Sequence, residues 1–128
     1  MQGNKPTSKQ KTDTIVQEKS YSFALRIIKL NKLLTTENKE FILGSQILKS
    51  GTSIGANIEE AIGAQSKRDF LSKVSISYKE ARETHYWLRL LRDSKIITRN
   101  LADSLLEDCT ELLKIIGSII KTLKNPHS

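Results

Sequence analysis

The chain is poor in the residues that usually reveal chemistry. Its 128 residues hold one Cys, two His, one Trp and one Met. A single cysteine excludes an internal disulfide framework and any multi-Cys metal site. The two prolines, Pro6 and Pro126, stand at the two ends, so the chain between them lacks the strongest helix breaker. No apolar run approaches the roughly 20 residues needed to cross a bilayer as a helix. The N-terminal MQGNKPTSKQKTD is polar and has no hydrophobic segment of the kind a secretory signal needs, which makes the reducing cytoplasm the expected compartment. Acids are also scarce, with 14 Asp+Glu against 21 Lys+Arg and a formal net charge of +7. With a pI near 9.6, anionic partners rise in rank, nucleic acid first and a membrane surface second.

What is present is helical periodicity. The length suits one domain. Residues 1–12 carry Lys5, Lys9 and Lys11 without an acid or an aliphatic side chain, and read as a disordered basic arm. Residues 13–124 read as four helices, and 125–128 as a C-terminal tail. In the first helix Val16, Phe23, Ile27, Leu30 and Leu34 line one face, with Tyr21, Ala24, Leu25 and Ile28 on another side. Thr35 or Thr36 is the expected N-cap of a second helix running through Ile47, Ile54, Ile58 and Ile62. Its small-residue stretch Ser50–Ala56 reads as close packing against a neighbouring backbone, with a loop as the alternative. Ser66, three residues before Asp69, caps a third helix that uses Phe70, Val74, Ala81 and Leu88. Thr98 or Asn100 caps a fourth built on Leu101, Leu105, Leu112, Ile116, Ile119 and Leu123. Short connections make neighbours antiparallel, so the predicted fold is all-α, an up-down-up-down four-helix bundle. Helices one, three and four carry more apolar surface than one stripe, which predicts self-association.

The bundle raises the question of a di-iron site, which needs Glu-x-x-His pairs. Glu83 lies two residues before His85, so the two side chains diverge by about 200° around the helix. His127 is in the tail. Glu59 and Glu60 diverge by about 100° and do not converge as an acid–base pair. Cys109, among Leu105, Leu112 and Leu113, reads as a small core residue. There is no nucleophile elbow, no P-loop and no dinucleotide fingerprint. No enzyme activity, cofactor or metal is expected.

The cations are more informative. Lys79, Arg82, Tyr86 and Arg89 fall within a sector about 80° wide on the third helix, and Arg92 extends the row. Cations around one aromatic form a track for phosphates with a stacking platform. The competing reading is a solvated face neutralised by Glu80, Glu83 and Asp93. Lys67 and Arg68 lie at a helix start, where the amide donors also favour anions.

The runs Ser53-Ile54-Gly55-Ala56-Asn57-Ile58-Glu59-Glu60-Ala61, Gln65-Ser66, Asp69-Phe70, Lys79-Glu80-Ala81-Arg82-Glu83-Thr84 and Tyr86-Trp87-Leu88 resemble the four-helix-bundle family of bacterial 23S rRNA intervening-sequence proteins. Gly44-Ser45-Gln46-Ile47 and the Leu-rich last helix fit as well, so the resemblance covers roughly residues 15–123. The accessory variability determinant protein of diversity-generating retroelements looks related. The resemblance implies an up-down bundle, a barrel-like homopentamer and a nucleic-acid-associated role without an established activity. The retroelement relative binds nucleic acid and a reverse transcriptase through basic surface. This chain departs from the pattern at Gly55, where many relatives carry Pro, and near Leu48-Lys49, where they carry paired Arg. The expected partners are therefore a second copy of the chain, RNA or DNA, or an acidic protein, and no membrane.

Overall fold

The computed structural model describes Lys5 and residues 7–125. Four helices follow one another: α1 (Ser8–Thr36), α2 (Phe41–Ile62), α3 (Lys67–Asp93) and α4 (Arg99–Lys124), with no strand among the described residues. At 1.5 Å per residue, α1 is about 43 Å long. Helices adjacent in sequence pack extensively, and the backbones of α1 and α4 meet along a thinner seam. This is the up-down-up-down bundle that the periodicity predicts.

Most of the apolar rows predicted for the helices form the core, but Ile62, predicted in the α2 row, is 41% exposed at the helix end, and Leu123 of α4 stands outside the core cluster. Val16, Phe23, Ile27, Leu30 and Leu34 of α1 meet Ile47, Ile54 and Ile58 of α2, Val74, Ala81 and Leu88 of α3, and Leu105, Cys109, Leu112 and Ile116 of α4. The second row of α1 behaves differently. Tyr21, Leu25 and Ile28 are 65%, 54% and 41% exposed, so one chain does not cover them.

Two boundaries depart from expectation. The first helix starts at Ser8, within the segment predicted to be a disordered arm. The Thr7 hydroxyl accepts from the Gln10 amide, and the Gln10 side chain accepts from the Thr7 amide. This reciprocal cap satisfies two amide donors that would otherwise lack partners. It holds the helix start although no aliphatic side chain anchors it. Residues 1–4 and 6, the rest of that arm, and residues 126–128 of the tail lie outside the described residues. The second departure is at Thr35 and Thr36, which do not cap α2. Their hydroxyls donate to the carbonyls of Asn31 (2.9 Å) and Lys32 (2.6 Å), inside α1. The chain then turns through Lys39 at φ 57°, and Glu40 is the N-cap, its carboxylate accepting from the Leu43 amide. The other two starts agree with the sequence. The Ser66 hydroxyl accepts from Asp69, and Thr98, not Asn100, caps α4 by accepting from Leu101.

The small-residue stretch of α2 is continuous helix packed closely on α1. A methyl group built on Gly51 would sit 2.7 Å from an Ile27 side-chain carbon, and one on Gly55 would sit 3.3 Å from the Ser20 carbonyl oxygen. Small polar groups line the opposite side of α2. The Ser77 hydroxyl donates to the Ile54 carbonyl at 2.8 Å, and the Thr84 hydroxyl lies 2.9 Å from that of Ser50. These buried hydroxyls all have partners, so their burial carries no unpaired-group penalty. The α1–α4 seam relies on charge, through Lys19–Glu111 at 2.6 Å and Arg26–Asp108 at 2.7 Å.

This packing is open to test at a glycine and at the cysteine. Gly51→Ala forces the stiff, fully buried Ile27 to move. Overpacking of that kind costs about 1–3 kcal/mol, against roughly 1 kcal/mol gained in helix propensity. Thermal melts are expected to show a lower midpoint for Gly51→Ala and little change for Gly63→Ala, whose added methyl would make only ordinary contact at 3.8 Å. Burial pushes the Cys109 thiol up to about 12, with Asp108 adding to the shift, and its Sγ lies 3.3 Å from the Ala81 carbonyl. Thiol-reactive reagents are expected to label the folded protein slowly at neutral pH and the denatured chain rapidly.

Candidate nucleic-acid interface

α3 buries Val74, Ser77, Ala81, Thr84, Leu88 and Leu91. Helical geometry then carries Lys79, Arg82, Tyr86 and Arg89 to the outer side. Lys79, Arg82 and Arg89 are exposed, and Tyr86 is 47% exposed. The Arg89 guanidinium lies over the Tyr86 ring at 5.7 Å from its centre, and its Nε donates to His85 Nδ1 at 3.1 Å. Tyr86 in turn meets Trp87 edge to face at 5.3 Å. Arg89 and Tyr86 of the predicted row are therefore in contact, with the ring braced from two sides, while Lys79 and Arg82 stand exposed on the same sector of the helix.

Arg92 differs from the other members. It is half-buried and tied to Asp93 at 2.8 Å and to Asp103 of α4 at 3.5 Å. Its hydrogen bond to Asp93 raises its own pKa and holds the Asp93 carboxyl below the usual carboxylate range. Arg92 thus works first as a clamp between α3 and α4.

The acids expected to neutralise this face do so only at Arg92. Asp93 takes Arg92, and Glu83 accepts from the Trp87 indole N–H at 3.3 Å. Glu80 is half-buried, and burial followed by its neighbour Glu83 raises its carboxyl pKa, with Lys79 and Lys49 opposing. Among the described residues, no carboxylate forms an ion pair with Lys79, Arg82 or Arg89. His85 reports the resulting field. Partial burial lowers its pKa most, and Arg89, Arg92 and Arg82 then lower it further.

One cation of this surface was placed by sequence only on a wet helix face. Arg92 beside Asp103, and Tyr78 over Gly117, set the antiparallel register of α3 and α4. That register brings the exposed Lys114 to the level of Ala81 and Arg82 along the bundle. Periodicity places a residue on a helix face, but not opposite a residue of another helix. Lys67 and Arg68 do not join the cluster, since the Lys67 backbone lies about 18 Å along α3 from Lys79. Among the described residues there is no group of three or more His, Cys, Asp and Glu able to hold a metal ion, and no helix long and apolar enough to cross a membrane.

Comparison with known proteins identifies the fold's relatives. Residues 12–118 match the family described as 23S rRNA-intervening sequence protein. The chain belongs to this family. A solved structure, of a protein of unknown function from the S23 ribosomal protein family of Bacteroides thetaiotaomicron, is 53% identical. It aligns with a TM-score of 0.85 over 87% of this chain and 99% of its own. No curated protein matches the chain. Family membership agrees with the resemblance read from the Ser53–Ala61 and Lys79–Leu88 segments, and accounts for the bundle.

NMR titration of the histidine side chains tests the field at this face. His85 is expected to titrate below its ordinary value of 6.5, and Arg89→Gln is expected to raise it. Because the folded-state value is depressed, the contribution of His85 to stability is full above the unfolded-state pKa. It is lost as the pH falls through the folded-state value.

Proposed function

We propose that this chain is a non-catalytic, cytoplasmic, self-associating helical bundle that binds RNA or another nucleic acid through the outer face of α3, with Lys114 of α4 at its margin. The observation that carries the reading is the set Lys79, Arg82 and Arg89, exposed without a carboxylate partner beside a half-exposed Tyr86. Such a surface attracts phosphates through its cations and offers a ring on which a base stacks. Arg92, already clamped, contributes mainly by holding the α3–α4 edge. A family named for sequences that interrupt 23S rRNA supports a nucleic-acid context. The exposed Tyr21, Leu25 and Ile28 of α1, with Ile76 and Leu90 of α3, support self-association. The resemblance implies five subunits, and repetition of a weak site around an axis multiplies its affinity.

Replacing Lys79, Arg82 and Arg89 together by Gln is expected to weaken binding of single-stranded RNA about tenfold or more at low salt. It should also reduce the slope of log affinity against log salt by about two, at roughly 0.7 for each phosphate that is no longer neutralised. Circular dichroism checks that the bundle is intact. Unchanged affinity and slope would sink the reading. A stoichiometric acidic protein recovered on this face, with no nucleic acid, would replace it by a protein-docking role.

A further inference from the structure

His85 lies at the inner margin of the cationic face, three residues after Arg82 and four before Arg89. Both guanidinium groups therefore reach the same side of α3 as the ring. Its Nδ1 accepts from Arg89 Nε at 3.1 Å. This hydrogen bond requires a ring without a proton on Nδ1, and it occupies one of the donors Arg89 would otherwise present to a phosphate.

The surroundings explain why the ring stays neutral. On α3 the nearby charges are Arg82, Arg89 and Arg92, and all three oppose a further positive charge. From α4, Asp103 is taken up by Arg92, and the exposed Glu107 and Lys114 lie along the seam. Asp108 and Glu111 face α1, where they pair with Arg26 and Lys19. α2 packs on the other side of α3, through Ser77 and Thr84, where Lys73 pairs with Glu60 and Lys49 lies near Glu80. α1 reaches α3 at the far end of the helix, where Lys9 lies over the Phe70 ring at 4.9 Å.

We propose that RNA binding at this face is proton-linked through His85, so that a phosphate held by Arg82 and Arg89 draws a solvent proton onto Nδ1 and the surface grips RNA more tightly as the pH falls. The proposal rests on the reading of α3 as an RNA surface. A bound phosphate cancels the positive field that keeps the ring neutral. Once protonated, Nδ1 no longer accepts, and the Nε–H of Arg89 is released to pair with the phosphate alongside a terminal N–H. The imidazolium adds a further positive charge to the site. Both effects favour the anion, and by reciprocity the anion favours the proton. Arg89 and His85 thus exchange partners. Without RNA they satisfy each other, and with RNA both turn to the phosphate.

The test is fluorescence anisotropy of the full chain with a labelled short polyuridylate, at constant ionic strength from about pH 8 to about pH 5.5, the range in which histidine titrates and uracil gains no proton. Affinity is expected to rise as the pH falls, by about tenfold for each unit by which RNA raises the His85 pKa. His85→Gln is expected to flatten that dependence, and His127→Gln to keep it. NMR of the wild-type chain is expected to show the His85 pKa rising when polyuridylate is added. Wild-type affinity that is flat with pH, or a slope in His85→Gln equal to wild type, overturns the proton linkage and leaves the RNA surface standing. Absence of polyuridylate binding at every pH overturns the RNA surface itself and the linkage with it.

Discussion

The contact between Ile27 and the bare backbone of Gly51 sets the geometry of the bundle. No side chain fits between them, because even a methyl would lie 2.7 Å from Ile27. α1 and α2 are therefore closely apposed, and the same approach recurs where Gly55 faces the Ser20 carbonyl. The opposite side of α2 also meets its neighbour closely, where Thr84 of α3 bonds to the Ser50 hydroxyl and Ser77 to the Ile54 carbonyl. α2 is the central plank, in close contact with a neighbour on each side. α4 then docks chiefly on α3, and its seam with α1 is left thin. Charge pairs bridge that seam, an arrangement of limited strength at a partly exposed site.

The same layout distributes the charge. Acids of α4 pair with Lys19 and Arg26 of α1, and Glu60 of α2 pairs with Lys73 of α3. Asp93 and Asp103 converge on Arg92. Once these pairs have formed, a chain of net charge +7 has few acids left for the outer face of α3. The basic surface arises as much from where the carboxylates are committed as from where the cations stand. His85 sits within this field and registers it.

Particular residues show what is legible in the sequence. The buried rows of all four helices can be read because burial follows the 3.6-residue period directly. Ser66 and Thr98 are readable as caps, since each stands just before a periodic segment with a free hydroxyl. Thr35 and Thr36 carry the same hydroxyl but donate it backward to α1 carbonyls. A threonine serves either role, and only the path of the chain decides between them. The start of α1 escapes for the opposite reason, because its cap lies ahead of any apolar residue and periodicity gives no signal there.

The amino-acid sequence by itself determined the four helices, their inward faces, the absence of a cysteine framework and the family. These follow from local periodicity, composition and motif order. It also placed Lys79, Arg82, Tyr86 and Arg89 on one sector of α3. Tertiary structure alone decided that Arg92 is a clamp, that Glu83 is turned to Trp87, that Lys114 stands level with Arg82 along the bundle and that His85 holds Arg89. Each of these depends on which rotamer a side chain adopts or on the register of one helix against another. Helical periodicity constrains neither, because it repeats along one axis and carries no information about the facing helix.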